Sequence, residues 1–244
     1  MKSTPHGNSC ELSHYFNRTV YNSAFTKRKD GGVILSLSVT NHSLFFRLMQ
    51  YDFPTAQHSC SVANMSYCLC RELHISPVES EQIYIAALFH DIGKIRIPLE
   101  ILHAPRKLTR QEQIYMEQHP VYGAGLAQEY GFPLEICDWI RWHHERMDGS
   151  GYPDRLRGGE IPMGVRIISI CDVLHALLQK RPYKEALPPK VCKEMLLGNA
   201  DAFDGDVLRV VALFWESLTR TAAGGGIFCA HAPAMWNHEA IQTI

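Results

Sequence analysis

Seven residues of the sequence carry side chains from which a metal centre can be assembled: His58, His90, Asp91, His119, His143, His144 and Asp172. Imidazole and carboxylate together suit divalent first-row metals such as iron, manganese, nickel and zinc, and affinity order alone does not choose among them. Two of the candidates form the adjacent pair His90-Asp91, and two more form His143-His144. Neighbours on a helix project about 100° apart, so one such pair can serve two metals, with the carboxylate as bridge. A lone histidine is more often an ordinary surface or core residue. On that ground His6, His14, His42, His74, His103, His231 and His238 need no special role.

Such side chains converge only if several elements hold them. From about residue 54 onward the apolar spacing is helical. Helices are predicted over Thr55–Leu73 and over Glu79–His90, the latter opened by Ser76-Pro77 as cap and first-turn proline. Thr109 and Glu112 form a capping box that opens a helix toward His119. Further helices are predicted over Pro133–Trp142, Val165–Leu178, Pro188–Leu197 and Asp204–Leu218, with a glycine-rich loop, DGSGYPDRLRGGEIP, after His144. The expected fold is all-α. Residues 1–50 form a small mixed N-terminal extension: a short amphipathic helix over Glu11–Tyr21, a turn over Lys27–Gly32, a strand-like run Val33–Val39, and Asn41 capping a short helix through Gln50. The catalytic domain is expected over residues 51–220 and a loosely packed tail over 221–244.

Composition removes several classes of function. A formal net charge of -1 supplies no general positive field for a DNA or RNA duplex. An anionic ligand must instead meet local cations. The 8 cysteines include no CxxC pair, which argues against a zinc ribbon or a dithiol redox site. Most lie in apolar helical patterns, as reduced core residues do. No run reaches the ~18 apolar residues of a membrane helix, and the first residues lack the apolar core of a signal peptide. The expected location is cytoplasmic, away from any membrane.

The segments HDIGKIRIP, EQHP, HHERMDGSGYP, CDVLHAL and RPYK occur in that order. In this order and spacing, from about His58 to about Phe203, the chain resembles the HD-GYP family of phosphodiesterases. The long HHERMDGSGYP segment is the most specific part; HDIGK alone points only to the wider HD metallophosphohydrolase superfamily. The resemblance implies an HD-domain helical bundle with the extra HD-GYP helices. It implies that His58, His90, Asp91 and Asp172 are ligands of the general HD site, and that His119, His143 and His144 complete a second site with Asp91 as bridge. Lys94 then lies beside the metals and orients or protonates a phosphate oxygen. Arg181 and Lys184 grip the substrate phosphates, as a guanidinium fork and a point charge can, and Gly151, Tyr152 and Pro153 shape the pocket. The family's habit favours two iron or manganese ions, with nickel or zinc as alternatives. Two cations about 3.5 to 4 Å apart polarise a phosphate oxygen, activate water near neutral pH and stabilise the leaving oxygen.

Departures from the family pattern sharpen the expectation. Pro54 stands where some members have a glutamate ligand for a third metal, so two metals are expected. Met147 replaces a frequent tryptophan, a change of packing. His175 stands where an aspartate is common, next to a retained Asp172, and an altered outer partner can shift metal affinity ~10 to 100-fold. The GGE at Gly158–Glu160 lacks the rest of a cyclase signature and belongs to the loop. The activity implied is hydrolysis of cyclic di-GMP to the linear pGpG, and on to GMP as an extension. Alternatives are a phosphodiesterase for the hybrid cyclic GMP-AMP, a nucleotide-binding scaffold with weak catalysis, and a general mononucleotide phosphohydrolase. The partner is a cyclic dinucleotide, with a homodimer or a regulatory protein as further candidates for the N-terminal extension.

Overall fold

The computed structural model describes residues 39–179 and 187–223. Among these the secondary structure is helical throughout: α1 (Val39–Tyr51), α2 (Phe53–Glu72), α3 (Pro77–Phe89), α4 (Leu99–Leu102), α5 (Arg110–Met116), α6 (His119–Glu129), α7 (Leu134–Trp142), α8 (Met163–Leu178), α9 (Pro189–Leu197), α10 (Gly205–Leu213) and α11 (Trp215–Ala223). Short 3-10 turns cover Ile92–Arg96, Gly158–Glu160 and Ala200–Ala202. No helix among the described residues is long and apolar enough to cross a membrane.

Local chemistry sets the helix starts. The Asp52 side chain accepts from the Thr55 amide at the head of α2, and Ser76 accepts from the Glu79 amide at the head of α3, where Pro77 occupies the first turn. The Thr109–Glu112 capping box forms as expected. The helix it opens ends at Met116, however, and His119 begins a new one, α6, with Pro120 in its first turn. Two other boundaries differ from the sequence expectation. Helix α1 begins at Val39, so Asn41 lies inside it rather than capping it, and the strand-like run before Val39 lies outside the described residues. The single helix expected over Asp204–Leu218 is two, separated at Phe214. Amphipathic periodicity runs across that break, which is why the apolar spacing did not reveal it.

Helix α3 is the centre of the bundle. Every residue from Ile83 to Phe89 is buried, as expected of a helix that is apolar on all sides. It packs on α2, α7 and α8, and the Phe89 ring meets Phe45 and Phe132 edge-on at centroid distances of 5.7 and 4.9 Å. The described cysteines are all buried except the half-buried Cys68. Burial pushes the Cys70 thiol up to about 12, so it packs as an inert small hydrophobe. The chain leaves α3 directly into His90 and Asp91, which places both residues at the edge of the best-packed part of the molecule.

Candidate metal centre

Three of the histidines are aimed by the backbone in the same way. His90 follows the last turn of α3, His143 the last turn of α7, and His119 the end of α5. Each sets its Nδ1 at 2.7 Å from the carbonyl three residues earlier: Ala87 for His90, Met116 for His119, Ile140 for His143. A carbonyl only accepts, so each Nδ1 carries a proton, and in the neutral ring Nε2 is left to present a lone pair. That is the form in which imidazole binds metal. The Nε2 atoms of His119 and His143 lie 3.2 Å apart.

The bare nitrogens converge on two carboxylates. Asp91 Oδ1 lies 3.2 Å from His119 Nε2, while Asp91 Oδ2 lies 3.4 Å from His90 Nε2 and 3.8 Å from His58 Nε2. The two oxygens of one carboxylate therefore face two different histidine groups. Asp172, on α8, is 2.9 Å from His58 Nε2 and 3.8 Å from His90 Nε2 through Oδ1, with Oδ2 3.8 Å from His144 Nδ1. Three groups have donor atoms close enough together to share an ion: His58, His90 and Asp172; His119, His143 and His144; and His90, Asp91 and His143 between them. All seven residues of the expected ligand set are brought into this cluster.

The fit to a cation can be judged from one atom. His90 Nε2 is wholly buried and has no hydrogen-bond partner, although an unsatisfied buried nitrogen costs about 1–3 kcal/mol. A bare nitrogen facing two carboxylates at 3.4 and 3.8 Å is a ligand arrangement, and a divalent cation between them satisfies all three groups. The donor set of imidazole and carboxylate is one that such ions take.

Burial and neighbouring charge push each carboxyl and imidazole of the cluster in a definite direction. Burial would raise the Asp91 carboxyl, but Lys94, with Nζ at 2.6 Å, and the flanking His90 and His119 hold it well below the usual range. Burial likewise opposes ionisation of Asp172, and His58, His90 and His144 outweigh it. Burial, reinforced by neighbouring imidazoles, pushes His143 and His144 well below the normal imidazole value; burial also lowers His90. Folding thus depresses both sets. Metal-free protein is fully stabilised by them only above their unfolded values, 6.5 for histidine and 3.8 for aspartate. The unfolded chain binds protons first as pH falls, so stability is expected to drop from about pH 6.5 downward. Urea unfolding of chelator-treated protein between pH 8 and 5 reads this directly, and a stability that rises toward pH 5 would contradict it.

Exposure within the cluster is uneven. His144, Asp172 and Lys94 are 19%, 12% and 22% exposed, against 2% or less for His90, Asp91 and His119. The glycine-rich loop packs against the more exposed His144. The Tyr152 ring lies against His144 with centroids 4.8 Å apart, followed by Pro153 across a cis bond. At Gly151 a Cβ would stand 2.5 Å from the Arg146 amide nitrogen and 2.6 Å from the His144 carbonyl, so only glycine lets the loop pass this close to the ligands. Arg181 and Lys184, the expected phosphate grips, lie outside the described residues.

Sequence reasoning missed what holds the loop. Glu145 is 1% exposed, and its carboxylate accepts from three successive backbone amides, those of Asp154 (2.7 Å), Arg155 (3.0 Å) and Leu156 (3.0 Å). Asp154 in turn accepts from Arg141 Nε and Nη2 and from Trp142 Nε1 on α7. Arg146 donates to Ser169 Oγ and lies 5.1 Å from the centre of the Phe203 ring. The only signal of these roles was charge in an apolar context beside the ligands. Glu145→Ala orphans three amides, and the cost is expected to be about 1–3 kcal/mol, with cleavage by a protease newly confined to residues 148–158. Thermal unfolding and limited proteolysis check this; an unchanged digestion pattern would show that the loop holds itself.

Comparison with known proteins places these features in context. The profile of the HD domain family matches residues 48–207. A 3'3'-cGAMP-specific phosphodiesterase 1 of Vibrio cholerae serotype O1 is 41% identical over 154 residues, covering 63% of this chain and 35% of that protein. The cyclic di-GMP phosphodiesterase response regulator RpfG of Xanthomonas campestris pv. campestris is 42% identical over 144 residues, 57% of this chain and 38% of its own. The chain thus spans little more than a third of the length of these relatives. Among solved structures, the HD domain of the L. monocytogenes phosphodiesterase PgpH, in complex with cyclic-di-AMP, superposes with a TM-score of 0.56 at 18% identity, covering 75% of this chain and 96% of that one. That likeness is one of fold.

Proposed function

Since this chain belongs to the HD domain family and to its HD-GYP branch, we propose that it hydrolyses a cyclic dinucleotide, cyclic di-GMP to pGpG, at a two-metal centre held by His58, His90, Asp91, His119, His143, His144 and Asp172. The observation that carries the reading is the Asp91 carboxylate, whose two oxygens face two separate histidine groups. When bound there, a pair of iron or manganese ions supplies the positive charge that polarises a phosphodiester and activates water. The rest falls to the chain. Asp91 and Asp172 hold their negative charge against burial, and the depressed imidazoles stay neutral and available. Lys94 holds Asp91 in place and, like His144, keeps part of its side chain exposed, so that a phosphate can reach both. The loop from Gly151 to Pro153 forms one wall of the pocket, and Arg181 and Lys184 supply further positive charge to the second phosphate.

A second substrate has its own support: the relative that is 41% identical over 154 residues is specific for 3'3'-cGAMP. Purified protein loaded with manganese, or with ferrous iron under anaerobic conditions, is incubated with cyclic di-GMP and with 3'3'-cGAMP, and the products are separated by chromatography. Linear pGpG as the faster-formed product supports the first reading. Faster opening of the hybrid moves the substrate to the second, and no opening of either by protein that carries two metals per chain overturns both.

A further inference from the structure

Among the described residues, Arg141, Arg146 and Arg166 are the half-buried arginines, and the others are exposed. Arg141 pairs with Asp154 at 2.7 Å and Arg166 with Asp204 at 2.8 Å. Arg146 has no such carboxylate among these residues. Its Nη1 donates to the Glu145 carbonyl, 3.0 Å away, and to Ser169 Oγ, while the Phe203 ring centre lies 5.1 Å from the guanidinium carbon. The remaining edge, Nε and Nη2, makes no hydrogen bond to the described residues. That is the edge with which Arg141 grips both oxygens of Asp154. Arg146 follows closely on His144, and Ser169 lies one turn before Asp172 on α8, so the cation stands beside the metal centre. Burial opposes its charge, and among its neighbours Asp172 favours it most. The Asp148 and Glu145 carboxylates contribute less, being held by Ser150 and by the loop amides.

We infer that Arg146 is a substrate contact, whose Nε and Nη2 edge takes oxygens of the phosphodiester held at the metal centre. The inference rests on the reading of this chain as a cyclic dinucleotide phosphodiesterase. A half-buried cation without a counter-ion costs free energy, and divalent ions bound through Asp172 and His144 would make its surroundings more positive still. An arriving phosphodiester is anionic and reverses that sign. The guanidinium plane presents parallel N–H groups that match two phosphate oxygens, which an ammonium cannot do. Ser169 and the Glu145 carbonyl hold the opposite edge, and Phe203 lies against the group. The fork is thus set before the substrate arrives, and little side-chain freedom is lost on binding.

Two substitutions separate this contact from simple packing. Arg146→Ala and Arg146→Lys are loaded with manganese beside the wild type, and the ions per chain are counted. Affinity for inorganic phosphate is measured by titration calorimetry. Turnover of the cyclic dinucleotide is followed with and without added guanidinium, kept far below the concentration that unfolds the protein. Both variants are expected to retain two ions. Arg146→Ala should weaken phosphate binding and lower kcat/KM by about 10 to 100-fold each, the size of a lost charge-assisted hydrogen bond, and free guanidinium should restore part of the turnover. Arg146→Lys keeps a point charge without the fork and should fall between. If Arg146→Ala does not fold, Arg146→Lys decides: weaker phosphate binding with both ions retained supports the contact. Phosphate affinity unchanged in every folded variant overturns the inference and leaves the phosphodiesterase reading standing. So does a loss of turnover that follows loss of manganese and does not respond to guanidinium. Wild-type protein that opens neither dinucleotide, yet binds phosphate through Arg146, overturns that reading and leaves the anion site.

Discussion

Asp91→Asn is expected to reduce cyclic dinucleotide turnover by at least about a thousandfold, equivalent to roughly 4 kcal/mol of barrier, and to lower metal content below two ions per chain. Both oxygens of Asp91 are engaged, Oδ1 toward His119 and Oδ2 toward His90, His58 and Lys94. An amide keeps the shape but loses the charge and turns one of these acceptors into a donor. If the NH2 faces His119, the ion on that side loses its bridge. If it faces Lys94, two donors meet at the 2.6 Å position that the ammonium now occupies. Neither orientation serves both groups. Overall fold should survive, because the core of α3 ends at Phe89, before the substitution. Metal analysis, turnover and circular dichroism on one preparation test all three statements. A variant that retains two ions and activity within tenfold of the wild type would remove Asp91 from its bridging role.

The second large effect is expected at a residue that carries no functional group. Gly93 lies in the 3-10 turn after Asp91, pressed against the start of α6. A Cβ there would overlap the His119 carbonyl oxygen and stand 2.5 Å from the Gly123 amide nitrogen. Both obstacles are main chain, so no side-chain rotation relieves them. Gly93→Ala must push the turn and α6 apart, and that movement separates Asp91 from His119. The cost should reach about 3 kcal/mol, the upper end of the usual range for over-packing. Metal should be lost from the His119, His143 and His144 group before the other. Urea unfolding with and without manganese measures the stability, and a loss below about 1 kcal/mol would show that the close approach is not required.

The parts of this site that were legible in the sequence are those that combine unusual residue types with fixed spacing. His90-Asp91 and His143-His144 were visible as ligand pairs because adjacent ligand-type residues are uncommon and each pair is followed within a few residues by glycine. Helices α2, α3, α7 and α8 were legible because a buried face repeats along them. What could not be read depends on where the chain goes after a turn. The carboxylate of Glu145 reaches three amides nine to eleven residues away, a contact fixed by the path of the loop rather than by any periodicity. The start of α6 at His119 was hidden because capping signals announce a helix but not its length. His175 was recognisable as a departure from the family pattern, but its contact with His58, 2.8 Å between the two Nδ1 atoms, was not.

The three carbonyls behind His90, His119 and His143 also bear on how such a site persists over evolutionary time. Every residue type supplies a main-chain carbonyl, so the side chains of Ala87, Met116 and Ile140 contribute nothing to the aim of the rings. Those positions are free to drift as the core around them is rebuilt, provided the helices still end where they do. Selection on these metal ligands is thereby decoupled from selection on the side chains behind them. Variation at positions 87, 116 and 140 that keeps the helix ends in place should therefore leave metal affinity nearly unchanged.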